Sequence, residues 1–293
     1  MQQQFDQIAQ AVSTQSIVLA DNVQLTIKRL DQIHPQISGN KFFKLKYNLI
    51  EAKSLGYRQI LTFGGAYSNH IAATAYAAAL FGFESIGIIR GEELAQHPLN
   101  PTLATAQSLG MQLQFVSRQS YREKHQAAYL AALELRYPHA YIVPEGGSNA
   151  LAVQGCQEIL SLQDRQDYDQ ICAAVGTGGT LAGIIEASSD QQQVLGFSAL
   201  KGDFLHAQVQ QYTDKCNWRI IDDYCCGGYA KTSTALLQFI EDFELAFTIP
   251  IEPIYTGKML YGIFDLISKG HFKAGTRILA IHSGGLQGKA ATA

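Results

Sequence analysis

Short β-rich runs and helix-like segments alternate along this chain, and glycines mark many of the points where one gives way to the other. Residues 23–30, 59–63, 84–89, 112–116, 141–143, 170–175, 194–198 and 277–281 read as strands. Residues 41–55, 68–81, a segment ending at 109, 121–136, 150–162, 234–247 and 257–267 read as helices. Parallel strands need a crossover long enough to hold a helix, so this alternation predicts an α/β fold with mainly parallel sheets flanked by helices. Ligands in such folds bind beyond the carboxyl ends of strands, which directs attention to the strand-to-helix junctions.

Composition narrows the partner. Charged residues are 16% and apolar residues 47% of the 293, against roughly 25% charged in an average soluble chain, which excludes disorder. The net charge is −3 and no Lys/Arg cluster occurs, so neither nucleic acid nor an anionic membrane is an expected partner. Residues 1–10 carry no basic or long apolar stretch, so no secretory signal is expected there. The longest greasy run, 71–83, falls short of the roughly 17–25 residues of a membrane span and reads as a buried helix. Five irregularly spaced cysteines without a CxxC pair suggest reduced thiols in a cytoplasmic protein and no zinc site.

Five junctions carry candidate chemistry. At 38–41 the sequence Ser-Gly-Asn-Lys opens a helix, where the macrodipole and the neighbouring Phe42 and Phe43 disfavour the ammonium form of Lys41. A neutral amine is what Schiff-base chemistry requires, although Lys44 and Lys46 leave the reactive lysine open and Lys41 taken alone reads first as a solvated first-turn lysine. At 64–70, two glycines precede Ser68, Asn69 and His70, a helix start able to cap itself or to hold a carboxylate. No metal-binding spacing surrounds His70. At 176–183 the run GTGGTLAG follows a buried strand and resembles a phosphate cradle. Leu181 spoils the dinucleotide pattern, and no lysine follows to make a P-loop. Tyr255 and Lys258 flank the fourth junction, either for ring contact and proton transfer or merely to pack and be solvated. The fifth places Ser283 before two glycines, suited to a flat ligand or to a simple turn. One candidate lysine, a phosphate cradle, several hydroxyls and no metal site point together to pyridoxal 5′-phosphate.

The segments SGNKFFKL (38–45), GGAYSNH (64–70), PEGGSN (144–149), GTGGTLAG (176–183), YTGKMLYG (255–262) and HSGG (282–285) occur in one order across nearly the whole chain. In that order they resemble the pyridoxal-phosphate enzymes of the tryptophan-synthase-β fold (fold type II). The closest likeness is to the 1-aminocyclopropane-1-carboxylate deaminase and D-cysteine desulfhydrase branch. The resemblance implies that Lys41 holds the cofactor covalently, that Asn69 bonds its phenolic oxygen, and that Thr177, Gly178, Gly179 and Thr180 hold its phosphate. It further implies that Ser283 lies near the ring nitrogen and that Lys41, Ser68 and Tyr255 serve in catalysis. The Ser68, Asn69 and His70 backbone would take the substrate carboxylate, with Tyr255 beside the substrate. Two domains are implied, residues 1–46 plus 151–293 as the larger and 47–150 as the smaller, in a homodimer.

Two departures from the family pattern matter. Phe43 stands where the family usually has a basic residue, and Thr256 stands where deaminases resemble Tyr-Glu-Gly-Lys. A hydroxyl leaves the ring nitrogen largely unprotonated, a weaker electron sink that suits loss of a good β leaving group better than opening of a cyclopropane. The expectation is therefore D-cysteine desulfhydrase-like α,β-elimination, giving pyruvate, ammonia and sulfide from a small amino-acid substrate. The alternatives are 1-aminocyclopropane-1-carboxylate deaminase, another lyase or racemase on this scaffold, a non-catalytic cofactor carrier, and a nicotinamide oxidoreductase, the last disfavoured by Leu181.

Overall fold

The computed structural model describes residues 1–10, 12–19 and 22–289. Helix α1 (Gln2–Ala9) leads into an antiparallel pair, β1 (Ser13–Val18) and β2 (Gln24–Arg29), and then α2 (Asn40–Ser54). Alternation begins with β3 (Gln59–Gly64), α3 (Asn69–Phe81), β4 (Glu84–Arg90), α4 (Pro101–Ser108) and β5 (Met111–Val116). Two short helices, α5 (Arg118–Arg122) and α6 (Ala127–Arg136), precede β6 (Ala140–Val143). The next elements are α7 (Ala150–Gln157), α8 (Asp164–Asp167), β7 (Gln170–Val175), α9 (Gly179–Ala187) and β8 (Gln193–Ser198). The described chain continues through α10 (Phe204–Gln210), β9 (Trp218–Ile221), α11 (Thr234–Phe247), α12 (Thr256–Ser268) and β10 (Arg277–His282).

The strands form two sheets. One is fully parallel, in the order β5-β4-β3-β6; the other runs β1-β2-β10-β7-β8-β9 and is parallel except for β1 against β2. A single buried cluster spans both, joining Leu45 and Leu49 of α2, Ala77 of α3 and Val153 of α7 to Ile171 and Leu279 of the larger sheet. Burying each such aliphatic side chain stabilises by about 1.5–3 kcal/mol, so the seam between the sheets is a core in its own right. Alanines 73, 75, 77 and 78 are buried along α3, and their small size lets that helix lie close to its neighbours.

Of the elements missed from sequence, α1 and β1 carry little apolar signal, whereas α10 and β9 were missed although Leu205 and Val209 are buried and β9 is mainly apolar. In α1 only Phe5 is buried, yet its ring stacks on Phe81 at 4.5 Å and meets Phe42 edge-on at 5.1 Å. β1 lies at a sheet edge with one buried residue, Ile17. The helix expected over 121–136 is divided, because Glu123 and Gln126 close turns onto Ser120 and Glu123 before α6 begins. α7 stops at Gln157 rather than 162, just before Glu158, whose carboxylate accepts from Lys46 Nζ and Tyr47 Oη, both at 2.6 Å. No helix among the described residues is long and apolar enough to cross a membrane.

Candidate active site

The start of α2 is pinned from two sides. Gly39 adopts φ +71°, and a methyl group on it would fall 1.9 Å from the Ser283 carbonyl oxygen, so only glycine fits. Asn40 then donates from its backbone N–H to that carbonyl at 3.1 Å and from Nδ2 to Thr180 Oγ1 at 2.7 Å. The first turn of α2 is thus fastened to the end of β10 and to the Gly-rich turn after β7. Among the described residues Lys41, half-buried, donates only to Asn40 Oδ1, at 3.1 Å. Burial lowers its pKa to about 8, a trend that Cys156 opposes. A sizeable neutral fraction is therefore present at mildly alkaline pH, as a lysine that condenses with a carbonyl requires.

One turn further on, Lys44 is 1% exposed and among the described residues has no carboxylate partner. Its Nζ donates to the Gly146 carbonyl oxygen at 2.8 Å, to Ser148 Oγ at 2.7 Å and to Thr177 Oγ1 at 3.2 Å. Burial first, and the charge of Lys41 second, bring its pKa down to about 7. A buried cation without an anion is costly, so this corner is built to receive one. Thr177, Gly178, Gly179 and Thr180 lead into α9, whose first-turn N–H groups have no helical partners. Sequence reading found this turn but weighed Lys44 only as an alternative reactive lysine; its position three residues after Lys41, on one helix face, was the available signal for a shared site.

The 64–70 loop supplies another wall. Ser68 caps α3 by accepting from the Ile71 N–H at 3.3 Å. Asn69 Oδ1 is buried without a partner, and a methyl group on Gly285 would fall 2.7 Å from Asn69 Nδ2. His70 is buried against Thr62, with Nε2 2.8 Å from Oγ1. The Thr62 hydroxyl donates to the Val143 carbonyl, so it accepts from Nε2–H and leaves His70 Nδ1 bare. Burial, then Lys41 and Lys44, push His70 well below the usual histidine range. It stays neutral.

Tyr255 meets the opposite side of the Gly-rich turn: a methyl group on Gly176 would fall 2.9 Å from its ring. The Tyr229 ring packs edge-on to it at 6.2 Å, a neighbour that sequence reading did not identify. Burial keeps the Tyr255 hydroxyl protonated far into alkaline pH. Glu252, fully buried, was also missed. It caps α12 by accepting from the N–H groups of Ile254, Tyr255 and Thr256 at 2.6, 3.0 and 2.6 Å. Thr256 Oγ1 is buried beside the Glu252 carboxylate, whose charge its hydroxyl favours. Lys258 is not on a solvated face: it is 1% exposed and fastens the carbonyls of Cys225 and Gly228, each at 2.8 Å. Phe43 points into the core beside Phe42, 3% exposed, away from this cluster. Among the described residues no three His, Cys, Asp or Glu side chains gather as metal ligands would.

Beside Lys41, then, stands a buried cation that lacks a carboxylate partner among the described residues, and the 64–70 loop adds a buried oxygen, Asn69 Oδ1, without a hydrogen-bond partner. A flat ligand carrying a phosphate and a ring-borne polar atom completes both, and pyridoxal 5′-phosphate is such a ligand. The family model for pyridoxal-phosphate-dependent enzymes matches residues 14–284. The mitochondrial bifunctional D-cysteine desulfhydrase/1-aminocyclopropane-1-carboxylate deaminase of Arabidopsis thaliana is 31% identical, over 92% of this chain and 74% of its own. The crystal structure of a homologue of 1-aminocyclopropane-1-carboxylate deaminase superposes with a TM-score of 0.82 at 27% identity, covering 95% of this chain and 90% of that one. A hydrogen sulfide-producing enzyme of Fusobacterium nucleatum shares the fold, with a TM-score of 0.67 at 11% identity, over 94% and 97% of the two chains. The chain belongs to the pyridoxal-phosphate-dependent enzymes of the tryptophan-synthase-β fold, and pyridoxal 5′-phosphate is its cofactor.

Proposed function

We propose that this enzyme is a lyase that removes a β substituent from a small amino acid, with D-cysteine as the substrate and pyruvate, ammonia and sulfide as the products. The observation that carries this reading is Thr256, a buried hydroxyl rather than a carboxylate at the start of α12, with Glu252 committed to three backbone N–H groups. The bound cofactor supplies an electron sink that acidifies the Cα–H bond of an attached amino acid. In this proposal Lys41 holds the cofactor, Lys44 and residues Thr177 to Thr180 hold its phosphate, and Asn69 and Ser283 hold the ring. The N–H groups at the start of α3, from Ser68 to His70, bind the substrate carboxylate. Ser68 and Tyr255 face the substrate and hold or move the proton; neutral His70 adds no charge there.

A second reading, ring opening of 1-aminocyclopropane-1-carboxylate, is favoured by the relatives named above. The experiment that separates the two gives purified holoenzyme D-cysteine and, separately, the cyclopropane amino acid. Sulfide and pyruvate from D-cysteine, with no 2-oxobutyrate from the other, are expected. Release of 2-oxobutyrate without sulfide reverses the assignment, and turnover of neither leaves a cofactor carrier. The proposal includes a division into residues 47–150 and residues 1–46 plus 151–293, two such chains forming a cytoplasmic homodimer. The separate sheet of β3 to β6 supports the division, and the five free cysteines support a reducing compartment.

A further inference from the structure

Arg90 ends β4 beside the strand from which the 64–70 loop departs, since its neighbour Ile89 pairs with Gly64. Its guanidinium lies over that loop: a methyl group on Gly65 would fall 3.4 Å from Nη2, so the glycine leaves the loop open to it. The guanidinium is also 5.8 Å from the Tyr121 ring. Its charge reaches Tyr229 on the far side of the cleft, where it adds to Tyr255 in opposing the upward shift that burial imposes.

Apart from the Tyr121 ring, exposed Arg90 has no committed partner among the described residues, unlike its charged neighbours. Glu145 accepts from Tyr121 Oη at 2.6 Å and pairs with Lys124 at 3.3 Å. Arg118 pairs with Glu93 at 2.8 Å. Among the described residues Arg90 has neither a side-chain hydrogen bond nor an ion pair. It therefore stands as a free fork of donors beside the loop assigned above to the substrate's α-carboxylate.

We propose that Arg90 receives a second anionic group, carried on the β-carbon of the substrate. The inference rests on the lyase reading and names its substrate class: amino acids whose side chain is, or leaves as, an anion. With cysteine, a base of the site takes the Cα proton and the β-carbon–sulfur bond breaks with its electron pair on sulfur. The departing group is hydrosulfide, whose charge the guanidinium holds, and no oxidant or reductant enters the balance.

The test uses two unreactive ligands, succinate and succinamate, which differ by one carboxylate replaced with an amide. Calorimetric titration of the holoenzyme is expected to show tighter binding of succinate. Arg90→Gln is expected to shrink that preference by about 10- to 100-fold, the range for loss of a charge-assisted hydrogen bond, and Arg90→Lys to restore part of it. A preference that is unchanged in Arg90→Gln, or absent in the wild type, overturns the proposal. Turnover is scored separately on D-cysteine. A succinate preference that depends on Arg90 without turnover keeps the anion site and removes the lyase reading. Turnover with a preference indifferent to Arg90 does the reverse.

Discussion

Lys44 Nζ stands 3.2 Å from Thr177 Oγ1 and so joins the cofactor helix to a turn 133 positions later in the chain. The contact leaves a buried cation in need of an anion, and in the proposed site it makes phosphate binding depend on the protonation of one side chain. With no anion present Lys44 titrates at about 7. A bound phosphate raises that value, so binding takes up a proton. Above about pH 8, where inorganic phosphate is already the dianion, its binding to the apoprotein should weaken progressively as pH rises to 9. Lys44→Met should weaken binding by about 10- to 100-fold and flatten that dependence. Competition between phosphate and pyridoxal 5′-phosphate, read by cofactor absorbance, measures both.

The same two lysines govern the stability of the apoprotein. In the unfolded chain Lys41 and Lys44 keep their protons up to about 10.5, whereas in the folded chain they lose them at about 8 and about 7. Between those values the unfolded state binds more protons, so stability rises with pH. The slope is at most about 1.4 kcal/mol per pH unit for each lysine. Thermal melts of apoprotein at pH 7, 8 and 9 should show a rising Tm that the double variant Lys41→Met/Lys44→Met lacks. A Tm that falls across this range in the wild type but not in the double variant would contradict the assigned burial.

Gly39 tests how the two ends of the chain meet. Its positive φ and the 1.9 Å separation between an added methyl group and the Ser283 carbonyl leave Gly39→Ala no relaxed position. The change should cost about 2–4 kcal/mol and displace Lys41 along with the turn. Urea unfolding measures the first effect. Loss of the absorbance of lysine-bound cofactor, in protein that is still folded, reports the second.

What could be read before the structure was what neighbouring residues write together. The strand ends at Gly64 and Val175, the cap at Ser68 and the Gly-rich turn at 176–179 each announce themselves within a few positions. Lys44, Glu252 and Arg90 do not, because their roles arise from partners more than a hundred residues away, or from a backbone turn or an open loop. Glu252 illustrates the difficulty: between two prolines it looks like a surface loop acid, and only the turn into α12 buries it beneath three N–H groups. The weak apolar content of α1 and β1 hid them for a related reason. Phe5 has a purpose only once Phe42 and Phe81 lie alongside.

Glu252 also decides what happens if the deaminase-like glutamate is installed at position 256. Thr256 is fully buried, and its backbone N–H is already a donor to Glu252 at 2.6 Å. Burial raises the pKa of Glu252 in spite of its three donors. A second carboxyl beside it raises both further, so one of the pair must stay protonated or carry an uncompensated charge. Thr256→Glu should therefore destabilise the apoprotein by about 3 kcal/mol or more at pH 8. The sign of the pH effect follows from the raised pKa values: the folded state holds protons that the unfolded carboxyls have released, so the penalty grows as pH rises from 5 to 8. Adding Glu252→Gln should recover a large part of the loss, because glutamine still accepts from the backbone without a charge. A double-mutant cycle by urea unfolding at pH 5 and pH 8 measures the coupling. Additive losses at both pH values would show that residue 256 and Glu252 do not share one buried site.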